Sequence, residues 1–85
     1  MGFEKHVKVR QERFGAVVFE TLREKVFVTD EIGAEILRLL EEKRELKDVL
    51  DELAKNYDCN PETIKGDVDE FILALKDNGI IKEEK

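Results

Sequence analysis

Short alternations of apolar and polar residues in the first third of the chain predict three strands. Val7 and Val9 stand two apart between basic residues, as in a strand with one face on a core. Two further apolar runs, AVVFETL after Gly15 and VFVT, flank a charged connection at residues 23–25 and indicate a hairpin. We therefore expect a three-stranded antiparallel sheet.

Side chains alternate between the two faces of a strand, and this alternation assigns faces to the apolar residues of the hairpin. Val17 and Phe19 share one face, and Val26 and Val28 share another. Phe27 points away from the face that carries Val26 and Val28.

Apolar residues spaced three and four apart predict two helices after the hairpin. Asp30 is suited to cap the first helix, because its carboxylate can accept from the free amides of the first turn. Gly33 carries a helix penalty of about 1 kcal/mol, which close packing against the sheet would offset. The stripes consist of Ile32, Ile36, Leu39 and Leu40 in the first helix, and of Leu46, Val49, Leu50, Leu53 and Tyr57 in the second.

A third helix has the clearest boundaries of the three. Asn60 can cap it, and Pro61 occupies a first position where a missing N–H costs nothing. Asn78 and Gly79 suit a left-handed C-terminal turn, after which Ile80 and Ile81 can fold back on the helix. The core stripe consists of Ile64, Val68, Phe71 and Leu75. Three strands followed by three helices predict an α+β domain with the helices on one face of the sheet.

Two residues of the third helix leave two interpretations open. On an ideal helical wheel Ile72 lies at the margin of the core stripe, and Leu73 lies roughly opposite the stripe and should be exposed. Leu73 is then either an ordinary exposed leucine or, with Ile72, the border of a groove for a partner.

Length and composition bound the class of protein. The 85 residues fit one domain, spanning 1–85, because a chain of this size has apolar material for a single core. With 41 % hydrophobic and 42 % charged residues the chain is too apolar for disorder, and it lacks the apolar run of roughly 20 residues that a membrane span requires. The N-terminal segment has no apolar signal core, so we expect a cytoplasmic protein without membrane contact.

Candidate chemistry is sparse in this sequence. Cys59 is the single cysteine and His6 the single histidine, so neither has partners at metal-ligand spacing. We expect Cys59 to be a half-buried loop thiol and His6 to be a solvated side chain. The acidic residues follow the polar faces of helices, which favours a non-catalytic protein without a cofactor.

The third strand of the predicted sheet offers a different kind of site. A three-stranded sheet has two edges with unpaired N–H and C=O groups, and each edge can accept an added chain. A bound peptide would pair through its backbone, and apolar pockets beside the edge would select its side chains.

Four segments together resemble the PqqD-like family, also called RiPP recognition elements. They are ERFG at residues 12–15, GAEIL at residues 33–37, the connection at residues 57–64 and DVDEF at residues 67–71. The family's "DVxxFLxxL" pattern falls on Asp67, Val68, Phe71, Ile72 and Leu75. The resemblance implies a winged helix-turn-helix-like fold that binds the leader segment of a ribosomally made precursor peptide as an added strand, in the cleft between the third strand and the third helix.

The same resemblance implies partners and a set of peptide-binding residues. The partners would be the precursor peptide and a modifying enzyme, commonly a radical SAM protein, in the biosynthesis of pyrroloquinoline quinone or of a peptide natural product. The peptide-binding residues would be Lys25, Val26, Phe27, Val28, Thr29, Lys65, Val68, Ile72, Leu73 and Lys76. Thr29 and Asp30 stand where relatives commonly carry Leu-Asn, and Leu73 stands where a polar residue is common.

Two other functions compete with peptide binding. A DNA-binding winged helix would present its third helix to the major groove, but residues 61–77 hold five acids and two bases, a balance of −3 that phosphates would repel. The whole chain, at −6, also disfavours nucleic acid. A generic interaction module, for instance a homodimer, is the remaining alternative.

Overall fold

An antiparallel sheet comes first in the chain, and three helices follow it. The computed structural model describes residues 2–82. Its elements are β1 (Gly2–Phe3), β2 (Val7–Glu12), β3 (Gly15–Glu20), β4 (Lys25–Thr29), α1 (Glu31–Glu41), α2 (Leu46–Asn56), α3 (Pro61–Asp77) and β5 (Ile81–Lys82). The predicted α+β architecture is confirmed, and the predicted third strand is β4.

The sheet has the order β2-β3-β4, and both of its neighbouring pairs are antiparallel. Ala16 and Val18 of β3 point inward and are fully buried, and α1 packs against this strand. Val7 and Val9 of β2 pack against the same core, as their spacing predicts. The inner face of the sheet is therefore covered by α1, and α2 packs on α1 and on α3.

The outer face of the sheet carries an apolar patch that the alternation rule alone did not predict. Val17 pairs with Val28, and Phe19 pairs with Val26. All four side chains therefore share one face, and the expectation that the two valines of β4 lie on a different face is wrong. The reason is the register set by the connection at residues 21–24, which within-strand alternation cannot give. Val26 and Val28 are 59 % and 67 % exposed.

A buried carboxylate fixes the connection between β3 and β4. Glu20 is 1 % exposed, and its two carboxylate oxygens accept from the backbone amides of Leu22 and Arg23 at 3.0 and 3.1 Å. Nε2 of His6 lies 3.1 Å from Glu20 Oε1. His6 is thus a partly buried partner of this carboxylate, and the expectation of a solvated histidine is wrong. Local sequence gave no sign of this contact, because it joins two separate segments.

The first helix begins and packs largely as expected. Asp30 is its N-cap, and its Oδ1 accepts from the backbone amide of Gly33 at 2.8 Å. The buried face of the helix, however, differs from the predicted stripe at two residues. Leu37 is fully buried, although it was not predicted to be, and Ile32 is 47 % exposed. Ile36, Leu39 and Leu40 are buried as predicted, and Leu37 extends the stripe towards the sheet.

The third helix carries the caps that its sequence predicts, and the second departs from its predicted stripe at one residue. Oδ1 of Asn60 accepts from the amide of Glu62, and Pro61 opens α3. Gly79 has a φ of +71° after the end of α3, and the amide of Ile80 donates to the carbonyl of Leu75 at 2.9 Å. Tyr57 is an exception, because α2 ends at Asn56 and leaves the tyrosine 45 % exposed.

A short ribbon that the sequence did not reveal joins the two ends of the described chain. Phe3 of β1 pairs with Ile81 of β5, and the amide of Glu4 donates to the carbonyl of Ile80 at 3.0 Å. Two-residue strands carry too little periodicity to be recognised. The ribbon places Ile80 and Ile81 against the core, where they are 1 % and 3 % exposed.

Within residues 2–82, none of the helices combines the length and the apolar character needed to cross a membrane.

Candidate binding cleft

The open edge of β4 is the first part of the candidate site. Among the residues that the structure describes, β4 pairs with β3 on one side only. Its other edge therefore presents backbone N–H and C=O groups along Lys25–Thr29 that no strand satisfies. Phe27 and Thr29 face the helical side of the sheet and are half-buried. A strand added here would have the helices on one side of it.

A cleft of about 330 Å³ opens beside the end of β4 and is the second part of the site. Residues from all three helices line it, together with the residue that follows β4. The main lining side chains are Asp30, Ile32, Tyr57, Ile64, Asp67 and Phe71, with Val68 beneath them. Most of this lining is apolar, so the cleft suits aliphatic or aromatic groups.

Gly33 lies where α1 packs against the end of β4, next to the wall of the cleft. A Cβ atom at this position would lie 2.7 Å from the Cβ of Thr29 and 3.3 Å from Cε1 of Phe71. The first distance is shorter than any ordinary contact, so a side chain could not be added without a shift of the strand. The glycine thus lets α1 approach β4 closely, and it brings the end of β4 within reach of α3. The predicted role of Gly33, close packing against the sheet, is confirmed.

The orientation of α3 differs from the sequence prediction at two neighbouring residues. Ile72 is 5 % exposed and lies in the core with Val68 and Leu75. The expectation that it forms a groove margin is therefore wrong. Phe71 occupies the margin instead, since it is half-buried, packs on the edge of the core and lines the cleft.

Three of the predicted peptide-binding residues lie on another side of α3. At about 100° per residue, Lys65, Leu73 and Lys76 are each at least about 120° from Phe71 around the helix axis. Leu73 is 58 % exposed, as its wheel position predicts. Nζ of Lys65 donates to Asp69 at 3.0 Å. The structure brings Val68 together with the end of β4, and it does not bring these three residues to the cleft.

Among the described residues that line the cleft, only Val68 was in the predicted peptide-binding set. The most exposed apolar residues that sequence reasoning missed are Ile32 and Tyr57. Both were assigned to core stripes, and both are nearly half exposed at the mouth of the cleft. Each lies at an end of its stripe, Ile32 at the start of α1 and Tyr57 after the end of α2. Their spacing is that of core residues, so the sequence holds no signal that separates them from the packed part of each stripe.

Among the described residues, the charged groups that line the cleft are both acidic. They are Asp30 and Asp67, and within residues 2–82 no lysine, arginine or histidine joins them in the lining. Asp67 is exposed and makes no hydrogen bond or ion pair with another residue in the described part of the chain. The cleft therefore combines an apolar interior with a negative rim.

Groups with shifted pKa values lie elsewhere, near the C-terminal end of α1. Burial raises the pKa of the Glu41 carboxyl. The pKa of the Arg38 guanidinium is raised mainly by its hydrogen bond to Glu35. The cleft is lined by α1 residues between Ile32 and Ile36, and neither Arg38 nor Glu41 is among its lining residues. Both pKa shifts therefore arise outside the cleft.

Across residues 2–82, no three His, Cys, Asp or Glu side chains are placed so that they could hold a metal ion. Cys59 is a half-buried free thiol in the connection before α3, as expected.

Comparisons with known proteins agree with this geometry. The family model of "Coenzyme PQQ synthesis protein D (PqqD)" matches residues 15–81. A protein of Bradyrhizobium diazoefficiens (strain USDA 110), named "PqqA binding protein", is 32 % identical over 81 residues, which cover 95 % of this chain and 79 % of the relative.

Two solved structures share the fold. One is "TbiB1 in Complex with the TbiA(beta) Leader Peptide", with a TM-score of 0.88, 21 % identity and full coverage of both chains. The other is "Lasso peptide synthetase B1 complexed with the leader peptide", with a TM-score of 0.84, 20 % identity and 95 % coverage of both chains. The winged helix-turn-helix-like arrangement predicted from the sequence is thereby confirmed.

Proposed function

The chain belongs to the PqqD family, and from this we propose that it is a peptide-binding adaptor for a ribosomally made precursor peptide. The curated relative is named for binding PqqA, and both solved structures of the same fold hold a leader peptide. We propose that this chain likewise binds the leader segment of its own precursor.

The observation that carries this proposal is the position of the open β4 edge beside the apolar cleft. A peptide laid along Lys25–Thr29 would satisfy the free backbone groups of that edge. Its side chains on the helical face would point towards Phe27, Phe71 and the cleft, because strand side chains alternate. The backbone would supply the pairing, and the cleft would supply selectivity for sequence.

Burial of apolar side chains must supply most of the affinity. Ordering a flexible leader costs on the order of 2 to 5 kcal/mol, while each fully buried large apolar side chain returns about 1.5 to 3 kcal/mol. Two or three buried side chains therefore return about 3 to 9 kcal/mol, which is comparable to or larger than the cost of ordering. We accordingly propose that the main anchor of the leader enters the cleft formed by Ile32, Ile64 and Phe71.

A second protein would perform the chemistry on the bound precursor. We propose that this partner is a modifying enzyme of the radical SAM class and that the chain itself is not catalytic. We further propose that the adaptor works in the cytoplasm, where ribosomes make the precursor. In this arrangement the adaptor holds the leader and leaves the rest of the precursor for the enzyme.

Calorimetric titration with the cognate leader tests the proposal. The probe is a synthetic peptide of the leader segment of the precursor encoded beside the gene for this chain. We expect one peptide per chain and a Kd below about 10 µM, which corresponds to about −7 kcal/mol. A scrambled peptide of the same composition is the control and should bind at least about tenfold more weakly. Equal binding of both peptides, or no binding of either, would contradict the proposal.

The outer face of the sheet favours a second candidate function, a homodimer module. Phe19, Val26 and Val28 are exposed on that face and, with the half-buried Val17, form an apolar patch. Patches of this kind mark interaction surfaces. Sedimentation velocity addresses this candidate: a dimer that Phe19→Lys converts to a monomer would support it. A chain that stays monomeric at all accessible concentrations would contradict the homodimer candidate.

A further inference from the structure

The rim of the cleft is negatively charged and its interior is apolar, and both properties affect which peptides can bind. The interior is formed by aliphatic and aromatic side chains, whereas Asp30 and Asp67 stand at the rim without a base among the lining residues. An occupant is therefore in contact with apolar groups and with negative charge at the same time.

Among residues 2–82, Asp67 has no partner that could neutralise its charge. Residues three and four positions away on a helix are the ones that face each other. For Asp67 these are Thr63, Ile64, Glu70 and Phe71. The set contains no base, and the nearest lysine in the sequence, Lys65, is held by Asp69 at 3.0 Å. The Asp67 carboxylate is therefore available to a ligand.

Asp30 adds a second carboxylate on the β4 side of the cleft. Its Oδ1 is occupied by the amide of Gly33, and the other oxygen has no partner among residues 2–82. Glu31 follows directly and is exposed, so the charge at this corner is not offset by its neighbour. The two aspartates come from different elements, α3 and the start of α1, and both line the cleft.

A peptide bound along β4 would remove water from these carboxylates. Loss of hydration without a compensating partner is unfavourable for a charged group. An acidic peptide residue at this place would add direct repulsion, and a neutral one would leave the cost in place. A lysine or arginine would offset it, and the overall charge of −6 would also attract a basic peptide over a longer range.

Resting on the proposed function, we infer that the cleft selects a leader in which an apolar anchor and a basic residue stand two positions apart. Residues two apart in an extended chain point to the same face and lie about 6.6 Å from each other. One would then enter the cleft while the other reaches the carboxylate rim. Asp67 is the residue that sets the preference for charge, and Asp30 supports it.

Selection from a library of random decapeptides tests this inference with the whole chain. The wild type should enrich sequences that carry Leu, Ile, Phe or Tyr with Lys or Arg two positions away, by about fivefold over the same pattern with Asp or Glu. Asp67→Lys should invert this preference, and Asp67→Asn should reduce it. Asp69→Lys, on the same helix but outside the cleft, is the matched control and should keep the wild-type preference.

The possible outcomes separate this inference from the function on which it rests. Enrichment of apolar sequences with no charge preference, or with one that Asp67→Lys leaves unchanged, would overturn the selective role of the rim while peptide binding stands. A preference that Asp69→Lys alters as strongly as Asp67→Lys would overturn the assignment to Asp67. Absence of any enriched sequence, with no binding of the cognate leader in calorimetry, would overturn both proposals.

Discussion

Phe71→Ala should weaken binding of the cognate leader by about 10- to 100-fold, equivalent to about 1.4 to 2.8 kcal/mol. Phe71 forms the wall of the cleft on the α3 side and lies near Gly33 and the end of β4. Its truncation removes the aromatic surface against which the anchor of the leader would pack. A loss of this size matches the burial of one large apolar side chain, about 1.5 to 3 kcal/mol.

Leu73→Ala is the matched control for this prediction. Leu73 is on the same helix, is also apolar and is 58 % exposed, but it lies about 200° from Phe71 around the helix axis. Calorimetry should give a Kd within about twofold of the wild type for this variant, with unchanged circular dichroism for both variants. If Leu73→Ala weakened binding more than Phe71→Ala, the peptide would bind on the other side of α3.

Ile72→Glu should prevent the chain from folding stably. Ile72 is 5 % exposed and packs in the core with Val68 and Leu75. A carboxylate there would be buried without a partner, and replacements of this kind cost about 4 to 5 kcal/mol or more. Small domains have a free energy of unfolding of only about 5 to 15 kcal/mol. We expect the midpoint of thermal unfolding to fall by about 20 °C or more, or no cooperative transition at all.

Leu73→Glu provides the control for the core position. The same carboxylate at an exposed neighbour should change the free energy of unfolding by no more than about 0.5 kcal/mol. Thermal unfolding followed by circular dichroism measures both variants. An Ile72→Glu chain as stable as the Leu73→Glu chain would show that Ile72 does not lie in the core.

The parts of the fold that were predictable depend on interactions between residues that are close in sequence. The caps at Asp30 and Asn60 and the turn at Gly79 depend on residues within a few positions of each other, and all three were predicted correctly. The three strands of the sheet were also evident, because their alternation is a local property. These features needed no knowledge of how the elements pack.

Errors arose where packing between distant elements decides the outcome. The stripe of α3 was located, but whether Phe71 or Ile72 forms its margin depends on how the helix is rotated against α1 and α2. The register of the hairpin decides whether the two β4 valines lie on the same face as Val17 and Phe19. The contact of His6 with Glu20 joins the turn before β2 to the end of β3.

The candidate site was predictable in part. Resemblance to the family indicated the strand Lys25–Thr29 and the third helix, and the structure places an apolar cleft beside the end of that strand. Ile32 and Tyr57 could not be assigned to the site from the sequence, because their spacing is that of core residues. The acidic character of the rim became apparent only when Asp30 and Asp67 were found at the same cleft.

Amide hydrogen exchange of β4 with and without the cognate leader tests the central claim most directly. If the leader adds to the sheet as a strand, alternate amides of Lys25–Thr29 become hydrogen-bonded, and their exchange should slow by about tenfold or more. The amides at the open edge of β2 (Val7–Glu12), on the far side of the same sheet, should keep their rates. A saturating leader that leaves β4 exchange unchanged, or that protects β2 instead, would contradict the account.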